Sequence, residues 1–138
     1  MRAKSFLFLG LVLFSSILAN CAIGLTGSSL SGTLNKTGIA DGTFAAVKLV
    51  NAGEPMTATA LYWAKSAPFS GGIASYSITG IAPGAYSAYA FIDVKGDVAF
   101  GPSAMPDSGS WADTDSQDIS ITDDQTLNFP DSSFSLVH

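Results

Sequence analysis

The chain has 138 residues, of which 47% are hydrophobic and only 12% charged, with 14 glycines. One domain fits that length, and the composition is that of a packed, turn-rich fold, which excludes a disordered chain. Beyond Arg2 and Lys4 in the leader, four lysines face eleven acids, a net of −7, so the surface repels nucleic acid and anionic headgroups.

The N-terminus reads as a targeting segment. Arg2 and Lys4 make a short basic start, and Phe6 to Ala19 is a 14-residue apolar run interrupted by Gly10, Ser15 and Ser16. A membrane span needs about 20 residues, so this run suits a signal-peptide core. It ends at Leu18-Ala19-Asn20-Cys21, which resembles the bacterial lipobox, with Asn20 where a smaller residue is usual. The resemblance implies cleavage before Cys21 and a covalent lipid on its thiol. A plain secreted protein cut nearby and an uncleaved anchor are the alternatives. Cys21 is the single cysteine, so no disulfide forms within the chain. Each acyl methylene buried in a bilayer contributes about 0.8 kcal/mol, so several chains on one residue hold firmly. Ala22 is not the Asp that commonly retains lipoproteins at an inner membrane, which favours the outer one.

Residues 1–20 are therefore assigned to the signal peptide, 21–27 to the lipidated cysteine and a short tether, and 28–138 to the folded domain. Leu30, Gly32 and Leu34 alternate with Ser31 and Thr33, the period of a half-buried strand. Asn35 to Gly42 is polar and closes on Asp41-Gly42, a hairpin signal. From Thr43 to Asn51, Ala45, Val47 and Leu49 form a cleanly apolar face that should meet the core, with Phe44, Ala46, Lys48 and Val50 opposite. Met56 to Ala64 predicts a third strand, with Leu61 and Trp63 on one face and Tyr62 on the other.

Tyr76 to Asp97 is the most patterned stretch. Tyr76, Ile78 and Gly80 alternate with Ser77 and Thr79. Pro83-Gly84 predicts a type II turn, with Gly84 at positive φ, that joins two strands as a hairpin. In the second strand Tyr86, Ala88, Ala90 and Ile92 point to the interior. Ser87, Tyr89, Phe91 and Asp93 point the other way, so two large aromatics ask for a cover or a partner on that face too. Tyr86, two residues after Gly84, stands where sandwiches place a corner tyrosine whose hydroxyl reaches loop backbone.

The string Tyr-x-Ile-x-Gly-Ile-x-Pro-Gly-x-Tyr-x-x-x-Ala-Phe-Ile-Asp, from Tyr76 to Asp93, resembles the transthyretin-like (carboxypeptidase regulatory-like) β-sandwich modules of bacterial secreted proteins and lipoproteins. The resemblance covers Leu30 to Phe100. It implies a non-enzymatic structural, stalk or binding unit. Relatives often carry a calcium loop after this strand, Asp-x-Asn-x-Asp-Gly with a later Glu, because calcium needs six to eight oxygens. Here Asp93 and Asp97 match, but Lys95 stands for the Asn, Val98 for the Gly and Ala104 for the later Glu. A solvated acidic turn is the plainer reading, and a calcium site would draw on Asp107, Asp113 and Asp115.

From Val98 to Asp118 the pattern breaks into a long ordered loop or two short strands around Trp111. Asp118 to Thr122 predicts a strand with Ile119 and Ile121 inward. Thr126 to Phe129 and Ser133 to Val137 close the sheet, with Leu127, Phe129, Phe134 and Leu136 as core candidates. The sum is an all-β chain, a single antiparallel β-sandwich of about seven or eight short strands, transthyretin-like or immunoglobulin-like.

Catalysis finds few tools. His138, the only histidine, is the last residue, and Cys21 is the only thiol, which removes Cys/His and Ser/His/Asp sites on residue count. A pair of aspartates acting on a glycosidic bond is the remaining enzymatic alternative. Tyr62, Trp63, Tyr89, Phe91 and Trp111 could pack in the core or stack on a ligand. Trp111, Tyr89 and Phe91 are the candidate contact residues, because the second strand's outer face and the loop after it carry them. The expected function is a lipid-anchored envelope protein, outer membrane favoured, with a non-catalytic structural or ligand-binding module, whose ligand as a surface-exposed binder would be protein or glycan. The alternative is a periplasmic-facing envelope assembly partner that joins another protein through an edge strand. Expected attachments are the lipid on Cys21 and, secondarily, calcium.

Overall fold

The computed structural model describes residues 27–113 and 115–138, so the signal peptide and Cys21 lie outside the described residues. The chain forms an all-β sandwich of nine strands: β1 (Ser28–Asn35), β2 (Phe44–Asn51), β3 (Tyr62–Lys65), β4 (Ile73–Ile81), β5 (Gly84–Asp93), β6 (Trp111–Asp113), β7 (Gln117–Ile121), β8 (Gln125–Thr126) and β9 (Phe134–Leu136). One sheet has the order β4-β1-β8. The other has the order β3-β2-β5-β6-β9, with β7 also paired to β5.

The alternation in the sequence sets the faces. Leu30 and Leu34 of β1, Ala45, Val47 and Leu49 of β2, and Tyr86, Ala88, Ala90 and Ile92 of β5 all enter one core with Phe69, Ile121, Phe129 and Phe134. Side chains on a strand alternate between faces, so burying one member of each set commits the rest. The outer face of β2 and β5 is covered as well. Ala46, Phe91, Ala104 and Ala112 make a second apolar cluster, packed by Met56, Val98, Phe100 and Val137 from the loops and the C-terminus. That cover answers the two aromatics that β5 turns outward.

Several expectations are corrected. β4 and β5 are not a hairpin: they belong to different sheets, and Ala82-Pro83 carries the chain between layers. Gly84 opens β5 outside the left-handed region, and the positive φ lies at Gly80, at 73°. Gly80 does not continue the inward row. The register slips between Ser28↔Ile81 and Leu30↔Ile78, so β4 carries one residue more than β1, and Ile81 becomes the buried residue. An inserted residue flips the facing of the residues beyond it, and a glycine tolerates the conformation this needs. Asp41-Gly42 likewise closes no hairpin, since β1 and β2 lie in different sheets. The third strand is shorter than expected, and Leu136 is 42% exposed instead of buried. β8 runs parallel to β1, with Leu127 and Phe129 amides extending the ladder to the Ser31 and Thr33 carbonyls at 2.9 Å. Backbone lies so close there that a Cβ on Gly32 would stand 2.7 Å from the Leu127 carbonyl carbon.

The corner tyrosine is present. Tyr86 Oη donates to the Ala82 carbonyl at 2.6 Å, and its ring meets Tyr62 edge-on with centroids 5.8 Å apart. Tyr62 Oη accepts from the Ala82 amide at 3.1 Å, so both tyrosines brace the crossover between the sheets.

Candidate functional site

The sandwich has two distinct ends. At one, β1 begins beside the end of β4, and β5 begins beside the ends of β2 and β7. At the other, β2 begins opposite the end of β5 (Phe44↔Asp93), and β3 ends beside Ala46. The loop after β5 folds back over this second end. Together these segments enclose an open cleft of about 470 Å³.

Its walls come from three parts of the chain. Asp41, Thr43 and Phe44 lead into β2, Lys65 closes β3, and Lys95 and Phe100 belong to the loop after β5. Lys65 Nζ stands 3.8 Å from the Phe44 ring centroid and 5.0 Å from that of Phe100. Phe100 in turn stacks on Phe91, centroids 6.3 Å apart and rings within 4° of parallel. A cation over ring faces is attracted by the ring quadrupole, by about 0.5–1 kcal/mol at an exposed site, so Lys65 rests on the two rings without a carboxylate partner.

Asp93 forms the floor and is 3% exposed. Its two oxygens accept from the Gly96 amide at 2.9 Å and the Val98 amide at 3.0 Å, which closes the loop on itself. Carboxylate oxygens of Asp93, Asp97 and Asp107 lie within 4.8 Å of one another, so the structure gathers the two predicted acids and one of the three reserves. Asp113 and Asp115 stand elsewhere, at the break between β6 and β7, where Asp113 accepts from the Asp115 amide at 3.2 Å and burial pushes its carboxyl up. One oxygen from each of the three falls short of the six to eight that calcium takes, and Asp93 already has both of its oxygens engaged by its own loop. Lys95 Nζ pairs with Asp107 at 3.3 Å, and Ser110 Oγ donates to Asp107 and holds its carboxyl below the usual range.

The expected aromatic contacts are redistributed. Tyr89 is buried, with its hydroxyl donating to the Glu54 carbonyl at 2.8 Å, and Phe91 is buried beneath Phe100. Neither presents a face to solvent, because the loops that satisfy the outer face of β5 also roof it. Trp111 packs its ring against the main core, with Lys36 Nζ 4.1 Å from the ring centroid. Lys36 also pairs with Asp131 at 2.6 Å, so Trp111 sits under a latch joining the end of β1 to the C-terminal segment. Lys36 and the Thr37 amide and hydroxyl hold the Asp131 carboxyl well below its ordinary range.

Lys48 escaped the sequence reading. Its side chain is 0% exposed, and Nζ donates to the carbonyls of Met56 at 2.8 Å, Ala58 at 3.0 Å and Ala104 at 3.2 Å. It thereby clips two loops onto the outer face of the sheet, one of which carries Phe100 of the cleft. Burial pushes its ammonium below the ordinary value. A lysine on the same face as two roofed aromatics was the available signal. Lys65 was missed for another reason: Phe44 and Phe100 are far from it in sequence.

No family model matches the chain, and no curated protein or solved structure matches it.

Proposed function

We propose that this is a lipid-anchored cell-envelope protein, held through Cys21 at the outer membrane, whose sandwich is a non-catalytic ligand-binding module. The binding site in this reading is the cleft walled by Phe44, Lys65 and Phe100. One observation carries it: the chain enters the domain at the end opposite the cleft. Ser28 begins β1 beside Ile81, and Ser29 N–H donates to Asp124 at that same end, whereas Asn35 finishes β1 near Ile73 and leads toward Asp41 and Phe44. An anchor six residues before Gly27 would leave the cleft facing away from the bilayer. Asp124, bonded to Ser29, and Glu54, bonded to Asn51 at the end of β2, lie at the anchored end, and like charge would keep that end off anionic headgroups within a Debye length of about 8 Å. The resemblance of Tyr76 to Asp93 to transthyretin-like modules supports the non-catalytic part.

The test is membrane fractionation and lipid labelling of the wild type and Cys21→Ser, with protease treatment of intact and lysed cells. Membrane retention and label that both depend on Cys21, with cleavage on intact cells, are the expected result. A soluble, unlabelled wild type would defeat the anchor.

A second reading has its own observation. β3 is one edge of the larger sheet; Leu61, just before it, is 51% exposed and Trp63, within it, 38%. An edge strand with exposed apolar side chains is a template for strand addition. Under this reading the protein joins an envelope partner through β3, and Trp63→Ala would abolish co-purification while leaving the cleft unaffected.

A further inference from the structure

Resting on the reading of the cleft as a ligand site, we propose that it takes a sugar bearing one carboxylate, an acidic monosaccharide unit of the uronate kind. The lysines of the domain divide sharply. Lys36 pairs with Asp131, Lys48 is satisfied by three carbonyls, and Lys95 pairs with Asp107. Among the described residues the Lys65 ammonium alone of the four makes no ion pair or hydrogen bond, and it lies over the rings of Phe44 and Phe100. The rings draw the exposed ammonium by about 0.5–1 kcal/mol, and its N–H groups are left without a protein acceptor on the wall of the cleft. Such a group offers an anion a charge-assisted bond.

The rest of the wall narrows the anion. Asp93 spends both oxygens on its own loop, and Asp107 is engaged by Lys95 and Ser110. Asp41 has one oxygen engaged by the Gly71 amide. Its other oxygen and the Thr43 hydroxyl remain as partners for ligand hydroxyls, on the same cleft as Lys65. One free cation beside acids favours a single negative charge. A dianion such as phosphate would meet Asp41 and the net negative field of the domain. The volume of about 470 Å³ lies within the range of roughly 300–1,000 Å³ usual for small-molecule sites, and suits a unit of sugar size. The carboxylate would pair with Lys65, and the hydroxyls with Asp41 and Thr43.

The full chain in detergent would be titrated with glucuronate, glucose and inorganic phosphate, following the amide signals of Thr43, Phe44, Lys65 and Gly96 by NMR. Glucuronate should bind at least tenfold more tightly than glucose or phosphate. Lys65→Met, whose stem still covers both rings, should weaken glucuronate at least tenfold, and Lys65→Arg should retain it. Equal binding of glucose and glucuronate, or a Lys65→Met variant that binds as the wild type does, would overturn the acidic-sugar assignment and leave the cleft as a ligand site. Tighter binding of phosphate would replace the carboxylate by another anion. Shifts with none of the three, in a protein whose spectrum shows it folded, would overturn the assignment too. In that case a broader panel of neutral glycans and peptides that also leaves these signals unmoved would defeat the cleft itself.

Discussion

Replacing Lys48 by Met tests whether a buried ammonium holds the roof on the outer face of the larger sheet. Met keeps most of the stem and removes Nζ, leaving the carbonyls of Met56, Ala58 and Ala104 without their donor. A hydrogen bond to a charged group contributes roughly 1.5–3 kcal/mol, and an orphaned buried acceptor costs about 1 kcal/mol or more. Against this, the wild type carries the desolvation of a fully buried cation, which offsets several kcal/mol. The net expectation is a loss of about 3 kcal/mol, or about 12 °C in melting temperature for a domain of this size. The loss should also be local. Ala60 N–H donates to the Pro102 carbonyl at 2.8 Å, bridging the two loops that Lys48 clips, so its hydrogen exchange should accelerate well before that of β2. The pH dependence has a definite sign. Burial lowers the pKa of Lys48 in the folded state below 10.5, so between the folded value and 10.5 the unfolded chain binds the proton more strongly. Stability from this group therefore rises with pH across that window, and the Met variant should lack the rise. Thermal melts and exchange at several pH values decide it. A variant within about 0.5 kcal/mol of wild type, with Ala60 protection unchanged, would refute the reasoning and mean that desolvation cancels the three bonds.

Gly32→Ala should lose about 3 kcal/mol or more, because a Cβ there collides with the Leu127 backbone; a melting temperature within about 2 °C of wild type would show that the strand after β8 moves aside freely. Tyr86→Phe should cost about 1–2 kcal/mol from the lost bond to Ala82, with no effect on binding in the distant cleft, measured by melting and by the sugar titration. Burial pushes the Tyr76 hydroxyl above its ordinary 10.0, so the unfolded chain loses that proton first and stability should fall above about pH 10; Tyr76→Phe should flatten this alkaline limb in a pH series of melts. Asp131 is held low by Lys36 and Thr37, so its contribution is present above 3.8 and fades as pH falls through the lower folded value; Asp131→Asn should remove that part of the acid limb. Calcium and chelator should leave the melting temperature unchanged, since Lys95 already answers Asp107; a rise of several degrees with calcium would mean that Asp93, Asp97 and Asp107 close on the ion.

What could be read from the chain alone was local. Period-2 alternation assigned the inward faces of β1, β2 and β5, because neighbouring side chains on a strand must point oppositely and only one set is apolar. Tyr86 as a corner tyrosine was legible for the same reason, its hydroxyl partner lying four residues away. The grouping of Asp93 with Asp97 was legible too, as both belong to one short loop. Sheet membership was not. Pro83-Gly84 and Asp41-Gly42 advertise tight turns, but turn chemistry is the same whether the strands pair or part to opposite layers; only the burial of both apolar faces against each other decides that. The slip at Gly80 likewise depends on β1 alongside it. Tyr89 and Phe91 left the candidate contacts because loops remote in sequence roof them, and Lys48 became a clip for the same cause. The cleft is the clearest case. Phe44, Lys65 and Phe100 meet only because β2 lies between β3 and β5, an arrangement set by long-range strand pairing and not by any stretch of sequence.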